Sequence, residues 1–407
     1  MNKDNALEVA SLAGHIMLEN GAEIARVEEV MQRIASKYGA DSSNFFVLSN
    51  GIFTTGRSYA NVEYIPFHGT QLNKVVEVSQ LSHRVEQGQC SLDECRQKLL
   101  SIRSMPNHSY FEQVGGSAFG SAAFCAIFGG GVIDCCISFV CGIVLWLFVL
   151  LMSSNFSSKF TANIVGSVIV TAICIFSHHL GIGNLGNIII GAIIPLIPGV
   201  PFTNGIRDLA GEDYIAGITR LLDALMVFIC IALGVSMTFV LDSKIMGEMI
   251  HLDGMVIDTF TSGWLFQIIA AFIGTTAFAV LFGVPHRYYL DCGICGLSGW
   301  VIYLLLVRLC GMSSVESTFL STMVVVFISY YFATLRKCPI IVFLVCGIFP
   351  LVPGAGVFWT SYNIVSNQLN AALSSGFLAL KITFAIVFGI IVVTEIRRRI
   401  QYRQKKS

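Results

Sequence analysis

The residues best equipped for chemistry follow a proline-broken apolar run. After Pro195-Leu196-Ile197-Pro198-Gly199 come Thr203, Asn204, Arg207 and Asp208, which offer a hydroxyl, an amide, a guanidinium and a carboxylate. An Arg can clamp a carboxylate with two parallel hydrogen bonds, and an Asp can take an ammonium group or a proton, so the set suits an amino or hydroxy acid. The same segment also reads as a loop whose Arg and Asp pair and cap the next helix. The break itself recurs as Pro350-Leu351-Val352-Pro353-Gly354. Proline removes a backbone donor and frees carbonyls that then need a partner, while Gly199 and Gly354 allow close approach. Ordinary proline kinks satisfied by neighbouring helices are the plainer alternative.

Further candidates are ionisable residues inside apolar segments, where charge is costly. Arg220 and Asp223 stand three apart on one helix face and can pair with each other. Asp134 and Asp291 occupy matching places in two similar segments. With Asp208 they are the candidates for carrying a proton, since desolvation raises a carboxylate pKa. As helix caps they would be structural. Lys381 reads as a snorkelling side chain, His178 and His179 as water-facing, and Gly116 with Gly120 as a helix-packing GxxxG.

Positioning these groups requires a membrane fold. Of 407 residues, 55% are hydrophobic and only 12% charged. Apolar segments near 114–131, 132–152, 162–179, 185–200, 215–240, 262–283, 289–309, 315–335, 338–353 and 376–396 are each about one bilayer long. With the N-terminus inside, Lys159, Arg207, Arg220, Arg287, Arg336, Lys337 and the tail from Arg397 fall on the cytoplasmic side. Only Lys244, Arg308 and Lys381 fall outside, as the positive-inside rule asks.

Ala123-Phe124 to Phe128-Gly129 recurs as Ala277-Phe278 to Phe282-Gly283, Asp134-Cys135 as Asp291-Cys292, and the two proline motifs follow at an offset of 155 residues. A unit of five spans forces its second copy in from the opposite face. The expected fold is therefore an all-α polytopic membrane protein of about ten transmembrane helices in two inverted five-helix repeats, an architecture of secondary transporters.

Residues 1–110 are polar and patterned as a small soluble α+β domain. The pattern has helices on either side of Asn20-Gly21, a hairpin turning at Asn50-Gly51, a third strand near Val62 to Ile65, a helix at Val75 to Val85 and a capping box at Ser91 and Glu94. Its acids Glu19, Glu23, Glu28 and Glu29 read as a solvated face paired with Arg26 and Arg33, or as a catalytic or metal site. Expected boundaries are 1–110, a first repeat at 111–241, an extracytoplasmic linker at 242–261, a second repeat at 262–396 and a basic tail at 397–407.

A net charge of zero excludes nucleic acid as a partner. The thirteen cysteines lie mostly in apolar runs, and Cys292-x-x-Cys295 lacks a second pair, so no metal, cofactor or disulfide framework is expected. The N-terminus lacks signal-peptide features. No nucleophile or phosphate motif marks an enzyme, although a membrane enzyme using the N-terminal acids, or a channel gated by that domain, would fit the same elements.

The runs Leu18 to Glu23 with Arg26-Val27-Glu28, Asn50 to Phe53, Pro198 to Leu209 with Ala216 to Leu225, and Gly347 to Gly356 resemble the fused form of the threonine/serine exporter (ThrE) family. The resemblance implies a bacterial plasma-membrane exporter of threonine and serine driven by protons, with cytoplasmic termini and room for a homo-oligomer. Split members of the family associated with succinate export leave the substrate open. Asn204-Gly205 departs from the family's Asn-Ala or Asn-Ser, which implies a looser helix start.

Overall fold

The computed structural model describes residues 3–40, 45–56, 60–66, 69–152, 158–248, 250, 252 and 257–406, with side chains as far as Ile400. The N-terminal domain is built from α1 (Lys3–Glu19), α2 (Ile24–Lys37), a β1–β2–β3 antiparallel sheet (Phe45–Leu48, Gly51–Thr55, Ala60–Tyr64), α3 (Leu72–Glu86) and α4 (Leu92–Arg103). The Asn20-Gly21 break and the Ser91/Glu94 capping box form as their residue types dictate, whereas the hairpin turns one residue earlier than expected: Leu48 pairs with Gly51, so Ser49-Asn50 make the turn, and neither Asn50 nor Gly51 takes a positive φ. Apolar residues at helical spacing on α2, from Ile24 through Val27, Val30 and Met31 to Ile34, are fully buried.

Among the described residues twelve α-helices follow. The first set is α5 (Tyr110–Ile127), α6 (Val132–Met152), α7 (Lys159–His179), α8 (Leu185–Ile193), α9 (Gly199–Ala210) and α10 (Tyr214–Met246). The second is α11 (Trp264–Leu281), α12 (Tyr289–Arg308), α13 (Ser314–Arg336), α14 (Ile341–Ile348), α15 (Gly354–Val365) and α16 (Leu369–Lys406). The order of long and short helices is the same in both sets. Pairings match as well: α5 on α6 and α8, α7 on α10, and α9 on α10 correspond to α11 on α12 and α14, α13 on α16, and α15 on α16. Between the sets α5 lies on α11, α9 on α16 and α10 on α15.

Among the described residues seven helices are long and apolar enough to cross a bilayer, or nine if each bent pair is one span. The ten expected spans are not reached on this count, because α5 carries Glu112 and Gln113 in its opening turns and falls outside it. Several boundaries shift. The fourth and ninth segments do not end at their prolines but continue as α9 and α15, and the tail is the end of α16 and not a separate segment. Parts of the 242–261 linker, and the side chains of Arg403, Lys405 and Lys406, lie outside the described residues.

The N-terminal domain is not a separate body behind the membrane helices. One apolar cluster runs from α1–α4 into Val200, Ala279, Val284, Tyr288, Phe343 and Val345 of the bundle. Helix ends also satisfy one another: the N–H groups of Leu72 and Asn73 donate to the Phe282 and Gly283 carbonyls at 3.1 and 2.7 Å. The orphan donors of α3 thereby meet the orphan acceptors of α11.

Small residues set the helix spacing. A Cβ on Gly142 would lie 2.6 Å from the Ser117 carbonyl and 2.8 Å from Ala118 Cα, whereas at Gly115 it would meet nothing within 4 Å. Backbone atoms cannot swing aside as a flexible side chain can. Gly142→Ala is therefore expected to destabilise the protein by about 1–3 kcal/mol through overpacking. Gly115→Ala should be neutral or slightly stabilising, and thermal unfolding of both variants in detergent is the check.

Candidate functional site

The two proline motifs build identical local structures. In each, a short 3-10 turn, Ile194–Leu196 or Phe349–Leu351, runs into a proline with φ −80°, ψ 63° (Pro198) or φ −77°, ψ 52° (Pro353). Those angles make an inverse γ-turn, closed by Gly199 N–H donating to the Ile197 carbonyl at 2.8 Å and Gly354 N–H to the Val352 carbonyl at 2.8 Å. Part of the carbonyl set expected to be free at the breaks is thus satisfied within them. The bends are 64° and 44°, too small to turn the chain back on itself, so each pair runs onward through the bundle.

The breaks meet. A Cβ on Gly199 would lie 2.6 Å from the Phe349 ring, and one on Gly354 would lie 2.9 Å from Ile197 Cδ1. Phe349 stacks on Phe278 at 3.9 Å between centroids, with Phe124 and Phe282 edge-on at 5.5 and 5.7 Å. Ile194, Ile197, Phe349 and Val352 are all buried, and the crossing is an apolar plug.

Cavities lie on either side of it. One of about 430 Å³ is lined by Pro350, Pro353 and Gly356 together with Gln267, Trp300, Tyr303, Trp359 and Arg308. Gln267 donates to the Ala126 carbonyl at 2.8 Å and accepts from Trp300 Nε1 at 2.9 Å, which fixes one wall. The other, about 390 Å³, is lined by Val200, Pro201, Asn204, Arg220, Asp223 and Lys159 and is roofed by Leu18, Gly21 and Asn50 of the N-terminal domain. The two therefore open toward opposite ends of the bundle.

The polar set after the first break does not face the crossing. It grips the turn between α1 and α2. Asn204 Nδ2 donates to the Gly21 carbonyl at 2.7 Å, Ile24 N–H donates to Asp208 Oδ1 at 3.3 Å, and Arg207 pairs with Glu23. Arg220 donates to Asp208 Oδ2 at 2.7 Å and to the Ala22 carbonyl at 2.9 Å. Thr203 is buried beside them. Among the described residues Asn204 Oδ1 is buried without a hydrogen-bond partner, and Asn204 lines the domain-side cavity.

The expected Arg220–Asp223 pair is not formed, since Asp223 pairs with Lys159. Nor is α9 loosened by Gly205. That residue packs against Gly217, whose carbonyl a Cβ on Gly205 would approach to 3.0 Å, and this lets Arg220 reach back to Asp208.

Asp134 and Asp291 hold matching positions but have different partners. Asp134 accepts from the Gly131 and Asn184 N–H groups at 2.8 and 2.7 Å, as a turn cap. Asp291 takes Arg336 in a two-pronged pair at 2.8 and 3.0 Å. The acidic face of α2 divides: Glu29 pairs with Arg26 and Arg33, while Glu23 belongs to the grip on α9. Half-buried Glu28 is pushed above the usual carboxylate range by burial and by the charge of Asp213, against a backbone hydrogen bond at Val47. Sequence reasoning missed Glu23 as a partner of α9, Lys159 as the partner of Asp223, and the Gln267–Trp300 wall. Only the aromatic content of α12 hinted at the last.

The buried Asp208–Arg220 pair has side chains 2% and 11% exposed. Asp208→Asn leaves the guanidinium uncompensated and should destabilise the protein by about 3–5 kcal/mol, with faster proteolysis at the Gly21 turn. Asp223→Asn, at the more exposed Lys159 pair, should cost less than about 1 kcal/mol, and unfolding curves of the two variants separate these outcomes.

Comparison with known proteins accords with this architecture. A family model described as "Putative threonine/serine exporter" (ThrE) matches residues 8–242 and a second, "Threonine/Serine exporter, ThrE", matches residues 267–396. The chain is 21% identical to a "Probable threonine/serine exporter" of Mycobacterium tuberculosis, over 96% of this chain and 77% of that one. It is 22% identical to a "Threonine/serine exporter" of Corynebacterium glutamicum, over 97% and 83%. No solved structure matches. With both halves and the N-terminal domain covered, the chain belongs to the threonine/serine exporter family.

Proposed function

We propose that this protein is a secondary active exporter of threonine and serine, driven by the proton gradient across a bacterial inner membrane, and that its two helix sets are inverted repeats. The observation that carries the reading is the pair of cavities separated by the crossed breaks. A route closed at its centre and opening at either end by turns is what a carrier needs, whereas a channel needs a continuous path. Each cavity is lined by the first turn of a half-helix, α9 or α15, whose positive dipole end favours a substrate carboxylate.

Inversion is supported by pairing at the helix ends. His179 meets Asp242 and Arg308 meets the Ser262 carbonyl at the end away from the N-terminal domain, while Lys159 meets Asp223 and Arg397 meets Thr334 at the near end. Basic residues gather at that near end, which supports a cytoplasmic N-terminal domain and C-terminus. Proton coupling is assigned to Asp208. Its partner Ile24, and Ala22, whose carbonyl takes the other arm of its partner Arg220, belong to the N-terminal domain, so movement of that domain would uncover a carboxylate beside the domain-side cavity. Asp134 and Asp291 take the second rank because their partners lie within the bundle.

A dicarboxylate such as succinate is the second reading, favoured by the far cavity, where Arg308 is the one charged lining residue among those described. In proteoliposomes an imposed pH gradient should accumulate labelled threonine against its own gradient, and a protonophore should abolish the accumulation. Purely downhill flux would establish a channel, and accumulation of succinate alone would establish the second substrate. Gly199→Ala, which forces Phe349 to shift, should slow transport by about tenfold, since the 1–3 kcal/mol of overpacking is drawn on whenever the crossing rearranges.

A further inference from the structure

We infer that His108, Glu112 and His286 form a binding site for a divalent transition ion of the Zn2+ type. His108 precedes α5, Glu112 lies in its first turn, and His286 opens the 3-10 turn His286–Tyr288 that leads into α12. One ligand atom from each lies within 4.8 Å of the other two. Glu112 Oε1 is 3.3 Å from His286 Nε2, and Glu112 Oε2 is 3.4 Å from His108 Nδ1. These separations exceed the 2.7–3.2 Å of good hydrogen bonds. The Oε1–Nε2 separation matches the roughly 3.3 Å between donors on a tetrahedral ion with bonds of about 2.0–2.1 Å.

Supporting groups point the same way. His108 Nε2 lies 3.1 Å from the Val284 carbonyl, so that nitrogen carries the proton and Nδ1 presents its lone pair to the cluster. Glu112 Oε2 accepts from Ser109 N–H at 3.1 Å as the helix cap, which leaves Oε1 as the ligand. The imidazole rings sit edge to face at 4.9 Å between centroids. A cavity of about 480 Å³ opens in front of them and has room for a water as fourth ligand. Two imidazoles and one carboxylate select a borderline ion over Ca2+ or Mg2+, which prefer oxygen alone. The ion would tie the start of the first helix set to the α11–α12 connection of the second, beside the N-terminal domain.

The test uses full-length protein in detergent, stripped by chelator and titrated with Zn2+ alone. About one equivalent should bind and raise the unfolding temperature. His286→Ala, at a residue 62% exposed, should keep the metal-free stability yet lose the Zn2+ response, with affinity down by more than about tenfold. His108→Gln should lose it too. Because exposed Cys136 and Cys310 could capture zinc, Co2+ replaces it in a second arm. Visible bands of a tetrahedral site without thiolate charge transfer support the assignment. Failure to bind, a thiolate-type spectrum, or unchanged binding in both variants overturns it.

Discussion

Two helix breaks touching across the centre of the bundle are the constraint around which the rest is arranged. Each break replaces a helical turn with a 3-10 turn and an inverse γ-turn, and each ends in a glycine because the other break occupies the space a Cβ would need. Phe349 fills the junction and draws Phe124, Phe278 and Phe282 around it. Any rearrangement that opened one cavity would have to move this aromatic cluster as a unit, since close-packed interiors respond by switching arrangement more readily than by deforming smoothly.

Symmetry of the backbone is not accompanied by symmetry of the polar groups. After the first break come Thr203, Asn204, Arg207 and Asp208; the matching positions after the second are Phe358, Trp359, Tyr362 and Asn363, none of them charged. The first half-helix has a domain to hold and the second does not. Asn204, Arg207, Asp208 and Arg220 each bond the backbone or a side chain within residues 21–24, which makes the N-terminal domain part of the first break's surroundings. The apolar cluster shared between domain and bundle reinforces that union.

The candidate carboxylates differ in the same way. Asp134 is held by backbone N–H groups and Asp291 by an arginine of the same helix set, so neither changes partners unless its own set deforms. Asp208 straddles the boundary between bundle and domain. Among the three, it is the one whose environment a rigid-body movement would alter.

Composition, the ordered internal matches and the proline-glycine motifs were sufficient to establish a membrane bundle in two similar halves with helices interrupted at corresponding points. Capping pattern and alternation were sufficient for the elements of the N-terminal domain, because Ser91 with Glu94 acts within a few residues of itself, whereas the pairing of Leu48 with Gly51 decided that the hairpin turns at Ser49-Asn50 and not at Asn50-Gly51. Tertiary structure alone decided the partners. Arg220 stands a turn from Asp223 yet bonds Asp208, and Asp223 turns to Lys159 from another helix, because the Gly205–Gly217 contact brings α9 against α10. His108 and His286 meet only through the packing of α5 on α11. Local rules reach about one helical turn, whereas a charged or ligating side chain is satisfied by whatever the fold brings within about 3 Å of it.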